Sequence, residues 1–340
     1  MTAISEQVPA TLDVRVPLPS YVIDTRDAPP DVFEDVSATD WSKLSWRQVG
    51  RPYTVERWAK AKREWETARG APMPVREGWK QFNHNFHELF VTDVPAAERH
   101  ARDALLASLA RGNVSGARET VGELVRLAVW NKVHRVEDAI WDPRGKRALF
   151  ADLNVKRPRI LFLGAADGYE AMQLWAMYPG GHVLLVDYDE FCKTDRFGKF
   201  PERYPFLGID PSTGHRRLWY REEMDIDFEV ADIRDLRYGR EFDVVVSIGL
   251  IEHFPDEHKP QAFDFHRRFL KPGGLAIITT PRNQLRGRAF YTIMSDLLNF
   301  GYRELMDVWQ LGLYAHENGF DVLRAGYIKA HNGIICKVRA

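Results

Sequence analysis

The run Arg159-Ile160-Leu161-Phe162-Leu163, followed at once by Gly164-Ala165-Ala166-Asp167-Gly168, constrains the fold of this chain more than any other stretch. Four apolar residues in succession, with no polar alternation, need cover on both faces and so belong to an interior strand of a parallel sheet. The glycines that follow let the backbone turn sharply and let a ligand approach the main chain. A second apolar run, Val183-Leu184-Leu185-Val186, ends in Asp187. A carboxylate at the tip of the next strand accepts both hydroxyl hydrogen bonds of a ribose, so the two runs together describe a nucleoside pocket.

The same texture continues downstream. Beyond Lys156, short β-branched runs alternate with helical stretches, the sequence form of a parallel sheet with crossovers. Strands are expected near 159–163, 182–187, 227–231, 241–247, 274–280, 320–328 and 333–339, with helices near 168–178, 256–270 and 287–318. Lys271-Pro272-Gly273-Gly274 cannot continue a helix and ends the second of these. Upstream, Val55, Trp58, Ala61, Trp65 and Ala68 recur at helical spacing until Gly70 and Pro72, and further helices are expected at 76–90, 95–112 and 115–142. Residues 1–53, rich in Pro, Asp and Ser, read as an extended arm or a set of turns. The expected organisation is therefore an arm over 1–53, a helical lid or cap over 54–150, and a sheet domain over 151–340.

Composition removes several function classes. With 45 % apolar residues in 340, the chain has ample material for a packed core. A net charge of −1 points to neither nucleic acid nor an anionic membrane surface. Cys192 and Cys336 are the only cysteines and have no C-x-x-C spacing, which argues against a disulfide framework or a structural zinc site. No stretch reaches the apolar length of a membrane span, and Met1 to Val14 lacks the pattern of a secretory leader. The expected setting is the cytoplasm, and the expected partner a small molecule, with self-association through the N-terminal helices.

A dinucleotide fingerprint counted from Gly164 would need glycines at positions 166 and 169, where the chain has Ala166 and Tyr169, and no G-x-x-x-x-G-K-[ST] is present. Five motifs instead occur in order: Ile160 to Gly168; Asp187; Ala231-Asp232-Ile233; Phe242-Asp243-Val244-Val245-Val246-Ser247 through Glu252-His253-Phe254; and Leu270-Lys271-Pro272-Gly273-Gly274. In these the chain resembles the class I S-adenosylmethionine-dependent methyltransferases over roughly residues 156 to 340. The resemblance implies an α/β, Rossmann-like, seven-stranded and mostly parallel sheet with helices on both faces and the last strand antiparallel, preceded here by the helical region. It implies S-adenosyl-L-methionine as cofactor, with contacts at Gly164, Ala165, Ala166, Asp167, Gly168, Asp187, Tyr188, Asp232, Ile233 and Ser247. Two positions depart from the family pattern: Phe162 where members commonly carry an acid, and Ala166 where they carry a glycine.

Catalytic candidates come from the edge of that pocket. Glu170 opens the helix after the glycine turn and serves as a general base, as a partner of the cofactor's methionine end, or as a stabiliser of the helix dipole. His253 follows the fourth strand, where ligands bind in open α/β sheets, and is either a base or a structural histidine. The long connection 188–226 is rich in aromatics and basic residues, so Arg196, Tyr204 and Trp219 form either a substrate wall or a small core of their own. Arg286, leading to Tyr291, marks an anion site or a solvated helix entrance, and Trp130 with His134 marks a lid over the cofactor. His84 and His87 read as a polar helix face before a metal site, so a metal stays undefined.

The acceptor expected from these features is a small, anionic and partly apolar metabolite. It is either a prenyl diphosphate methylated on carbon, with Mg at the diphosphate, or a phenol, carboxylate or amine methylated on oxygen or nitrogen. A nucleic-acid methyltransferase and a non-catalytic cofactor-binding scaffold are the alternatives. The first would show a basic face, which the charge balance does not supply.

Overall fold

A computed structural model describes residue 36 and residues 38–90, 94–134, 143–200, 204–328 and 330–339. In chain order the N-terminal part holds α1 (Trp46–Val49), β1 (Tyr53–Thr54), α2 (Lys60–Arg69), α3 (Val75–Phe90), α4 (Val94–Ala110), α5 (Val114–His134) and α6 (Pro143–Phe150). Then follow β2 (Arg159–Leu163), α7 (Tyr169–Met177), β3 (His182–Asp187), β4 (Phe206–Ile209), β5 (Arg216–Trp219), β6 (Ile226–Val230), β7 (Phe242–Ile248) and α8 (Lys259–Arg267). The chain closes with β8 (Leu270–Pro281), α9 (Leu285–Ile293), α10 (Ser295–Leu298), β9 (Glu304–Leu305), α11 (Val308–Glu317), β10 (Phe320–Ile328) and β11 (His331–Val338).

Seven strands form one sheet in the order β10-β11-β8-β7-β2-β3-β6. β11 runs antiparallel to both its neighbours and the remaining pairs are parallel. This is the Rossmann-like arrangement expected from the motifs, with the last strand reversed. Alternation along each strand divides the apolar residues between two layers. Leu161 and Leu163 join Val245, Ile278 and Phe263 on one face, while Ile160 and Phe162 join Val244, Ile277 and Trp175 on the other. Each such buried aliphatic side chain contributes about 1.5–3 kcal/mol relative to exposure.

Two expectations are corrected here, both on helix bounds. Residues 1–35 lie outside the described residues, and from Trp41 the chain forms helical turns docked on the sheet domain, the second of the two readings of 1–53. The Trp41 ring packs where any side chain on Gly312 would come within 2.2 Å of it, and Trp46 donates to Glu317 Oε1 at 3.0 Å. The helix expected from residue 54 begins at Lys60, because Tyr53 and Thr54 pair with Leu305 and Glu304. That same pairing interrupts the stretch 287–318, read as one helix, after α10, and α11 restarts under an Asp307 capping box with Gln310. The connection 188–226 contains a small antiparallel hairpin, β4 against β5. Of the fourth expected helix, 135–142 lies outside the described residues.

Candidate active site

A cavity of about 410 Å³ opens at the carboxyl ends of β2, β3, β6, β7 and β8. Register explains its position: Leu163 lies beside Val186 on one side and Ser247 on the other, so the loops after β2, β3 and β7 emerge together. Strand order reverses between β2 and β7, the crevice where open α/β sheets bind ligands. α3 and the segment from α9 to β9 close the opposite side, through Trp79, Phe82, Phe86, Phe290, Tyr291 and Arg303.

The half of the cavity over β2, β3 and β6 is acidic. Gly164, Ala166 and Gly168 take left-handed φ values of 67°, 52° and 74°. Gly164, Ala165, Ala166 and Asp167 line the cavity. Asp187 accepts the Ala166 N–H at 3.2 Å and the Asp189 N–H at 3.1 Å, and burial raises its carboxyl above the usual carboxylate range. Asp167 is likewise raised by burial, with Arg196 pulling the other way at 3.4 Å. Arg196 donates to Asn83 of α3 at 3.0 Å, and Asn83 donates to Asp189 at 2.9 Å, so the cap helix is tied to the loop after β3. Asp232 is held well below the usual range, first by the Arg234 side chain; Arg76 of α3 also reaches it, at 2.8 Å. Tyr188, Ile233 and Glu170 line the same half.

Two residues expected at the cofactor do not reach the cavity. A side chain on Gly168 would meet Leu185 Cδ1 at 2.5 Å, so that glycine serves the packing of α7 on β3. Ser247 is fully buried and donates to His266 Nε2 at 2.8 Å, the imidazole tautomer being set by the Nδ1–H that His266 gives to Ala262. Strand alternation turns it toward α8. Ala166, by contrast, sits at a φ that disfavours any side chain. Ala166→Gly is expected to raise stability by about 1 kcal/mol in urea unfolding, and an unchanged midpoint would show that the loop is unstrained.

The half over β7 and β8 is aromatic, with a few buried polar groups. Glu252 lies in the turn Ile251–His253 after β7 and is 1 % exposed; among the described residues its Oε2 has no hydrogen-bond partner. Burial pushes its carboxyl up to about 7, with Arg303 and Lys259 pulling it down. The turn is held by Lys259, which donates to the Ile251 carbonyl at 3.2 Å and pairs with Glu304 at 2.7 Å. His253 hydrogen-bonds the Tyr302 carbonyl through Nδ1 at 2.7 Å, lies edge-on to Trp79 at 4.1 Å, and has Nε2 3.5 Å from Glu252 Oε1. Burial lowers its basicity well below the usual range, so the ring is neutral. Arg303 is 4 % exposed, with its guanidinium 4.5 Å from the Tyr291 ring centroid and 5.3 Å from that of Phe82. Its Nε is buried without a partner.

The substrate candidates separate clearly. Arg196 and Tyr291 line the cavity. Tyr204 and Trp219 do not: Tyr204 packs on Tyr169 and Phe206, and Trp219 packs on Trp175 and donates to the Ile209 carbonyl at 3.2 Å. At these two residues the insertion therefore packs into the core layer beneath α7. Arg286 is exposed on the first turn of α9, away from the cavity. Trp130 and His134 fall in α5, where their side chains lie outside the described residues. Glu252 lies within the Phe242-to-Phe254 motif, which is the one sequence signal that marks it; Asn83 and Phe82 stand in the helix expected at 76–90 with no sign of a site role, and Arg303 has no local signature. Among the described residues no group of three or more His, Cys, Asp and Glu is arranged to hold a metal ion, and no helix is long and apolar enough to cross a membrane.

A family profile described as "Methyltransferase domain" matches residues 196–274. The ubiquinone biosynthesis O-methyltransferase of Bradyrhizobium sp. (strain ORS 278) is 25% identical over 173 residues, 48% of this chain and 65% of that protein. The chain thus spans less than two thirds of that relative. Among solved structures, human N-acetylserotonin methyltransferase in complex with SAM is similar with 13% identity and a TM-score of 0.43, over 62% of this chain and 59% of that one. The 1,6-didemethyltoxoflavin-N1-methyltransferase of Burkholderia thailandensis is similar with 14% identity and a TM-score of 0.40, over 65% and 90%.

Proposed function

We propose that this chain, a member of the class I S-adenosylmethionine-dependent methyltransferases, methylates an oxygen of a small, anionic and partly apolar acceptor, with Glu252 as general base. The observation that carries the reading is the Glu252 carboxyl, buried, unpartnered at Oε2 and lining the same cavity as the glycine turn and Asp187. The acidic half suits the cofactor: among the described residues Asp187 is buried with only main-chain donors in hydrogen-bond contact, so it favours a ligand that brings hydroxyl donors. On this reading Asp187 holds the ribose, Asp232 the adenine amino group, the main chain from Gly164 to Ala166 the nucleoside, and Asp167 with Glu170 the methionine ammonium. S-adenosylmethionine, when bound, supplies an electrophilic methyl group on a sulfonium sulfur.

The chain's own residues then hold the acceptor, exclude water and take a proton. Glu252 receives the proton of the acceptor hydroxyl on Oε2. His253, neutral and giving its Nδ1–H to the Tyr302 carbonyl, keeps its ring packed beside the other carboxyl oxygen and helps to exclude water there. Trp79, Phe82 and Tyr291 cover the acceptor's apolar part. The aromatic wall also supports a second reading, methylation of a prenyl diphosphate on carbon, in which the ring faces would stabilise a cation and Mg would accompany the diphosphate.

Calorimetric titration with S-adenosylhomocysteine, followed by labelled-methyl transfer to phenols, carboxylates, amines and prenyl diphosphates, tests these readings. Micromolar binding and label on a phenol or carboxylate oxygen are expected. Label on a prenyl carbon would select the second reading, and binding without transfer to any acceptor would leave a cofactor-binding scaffold.

A further inference from the structure

We infer that the acceptor is a hydroxy acid on a flat ring, its carboxylate received by Arg303 and its hydroxyl by Glu252. The inference rests on the oxygen-methylation reading above and narrows the substrate class at the same cavity. Among the described residues four arginines line the cavity, Arg76, Arg196, Arg234 and Arg303. Arg76 and Arg234 both bond Asp232, and Arg196 is bound to Asp167 and Asn83. His253 is held neutral by burial. Arg303 differs from these arginines: among the described residues its side chain has ring contacts and the nearby Glu252 charge, but its Nε meets no acceptor.

A guanidinium set against two ring faces offers its planar fork to a carboxylate, which takes two parallel hydrogen bonds. One such group balances a single negative charge. A diphosphate would bring two or three charges beside one available arginine and the Glu252 carboxyl, leaving buried charge unpaired. In the same cavity Glu252 Oε2 has no donor among the described residues, and an acceptor hydroxyl supplies one. Phe82, Tyr291 and Trp79 line the same cavity as these polar groups, and aromatic walls favour a flat ring. A ligand lacking either polar group leaves the matching residue buried and unpaired, which weakens binding by about 10- to 100-fold.

The test titrates the full chain, saturated with S-adenosylhomocysteine, with 2-, 3- and 4-hydroxybenzoate, each against its hydroxybenzamide and against phenol. At least one hydroxybenzoate is expected to bind at least about 10-fold more tightly than its amide and than phenol, and Arg303→Met is expected to abolish that preference. The comparison on the unaltered chain stands even where Arg303→Met fails to fold. Equal binding of acid and amide, no binding of any hydroxybenzoate, or tighter binding of geranyl diphosphate would overturn the inference. The two failures are distinguishable: a phenol methylated on oxygen as fast as its carboxylate removes the inference alone, while a hydroxybenzoate that binds with the expected preference but receives no label on oxygen removes the oxygen-methylation reading and the acceptor role that rests on it. Failure to bind S-adenosylhomocysteine removes both.

Discussion

Replacing Glu252 by Gln is expected to lower turnover by about two to four orders of magnitude, the usual contribution of a positioned general base, while S-adenosylhomocysteine binding stays within a few-fold of the parent. The pH dependence carries a sharper signature. A base must be unprotonated, and Glu252 is pushed up to about 7, so kcat/KM of the unaltered protein should rise with pH and level off above that value. Glu252→Gln should show no such rise. The same shift acts on stability with the opposite trend. Between the ordinary value of 4.5 and about 7 the folded chain retains a proton that the unfolded chain has released. The contribution of Glu252 to stability is therefore complete below the ordinary value and is lost as pH rises through about 7. Integrated over that window the loss is about 3 kcal/mol, an order-of-magnitude figure that Glu252→Gln should remove. Urea unfolding of both proteins at pH 5 and pH 8 reads it. A variant that keeps full turnover would end the case for Glu252 as base.

Substituting Asp187 by Asn is expected to weaken S-adenosylhomocysteine binding by at least about 100-fold, because two hydrogen bonds to a charged acceptor are each worth about 1.5–3 kcal/mol. The change acts on the fold in two directions: a neutral side chain removes the desolvation cost that raises the Asp187 carboxyl, while its amide nitrogen can no longer accept one of the two main-chain N–H groups that Asp187 holds. Calorimetry gives the affinity, and thermal unfolding without ligand gives the control. Affinity within threefold of the parent would show that Asp187 faces the ribose in position only.

Much of the fold was legible because it is written in local pattern. The run 159–163 and the run 182–187 are β2 and β3 to the residue, since an unbroken apolar stretch bounded by turn residues has few other uses. The glycine turn announced its left-handed backbone, and Ala166 follows it there against its own preference. Misreadings fell where distant segments meet. Periodicity across 287–318 looks helical, yet Glu304 and Leu305 pair with Thr54 and Tyr53. Tyr204 and Trp219 carry the composition of a substrate wall, but Tyr169 and Trp175 of α7 cover them. Ser247 lies in a family motif and still faces α8, because strand alternation decides its direction.

The sequence by itself determined the sheet, the turn after β2 and the carboxylates Asp187 and Asp232 at the strand ends, because backbone preference and apolar period are properties of neighbouring residues. Only the tertiary structure decided the chemistry of the other half of the cavity. Glu252 has a raised carboxyl because burial withholds water from it, and Arg303 is an available cation because the β1–β9 pairing brings its segment against α3 and α9. Burial and the absence of a partner are set by residues remote in the chain, so neither has a signature in local sequence.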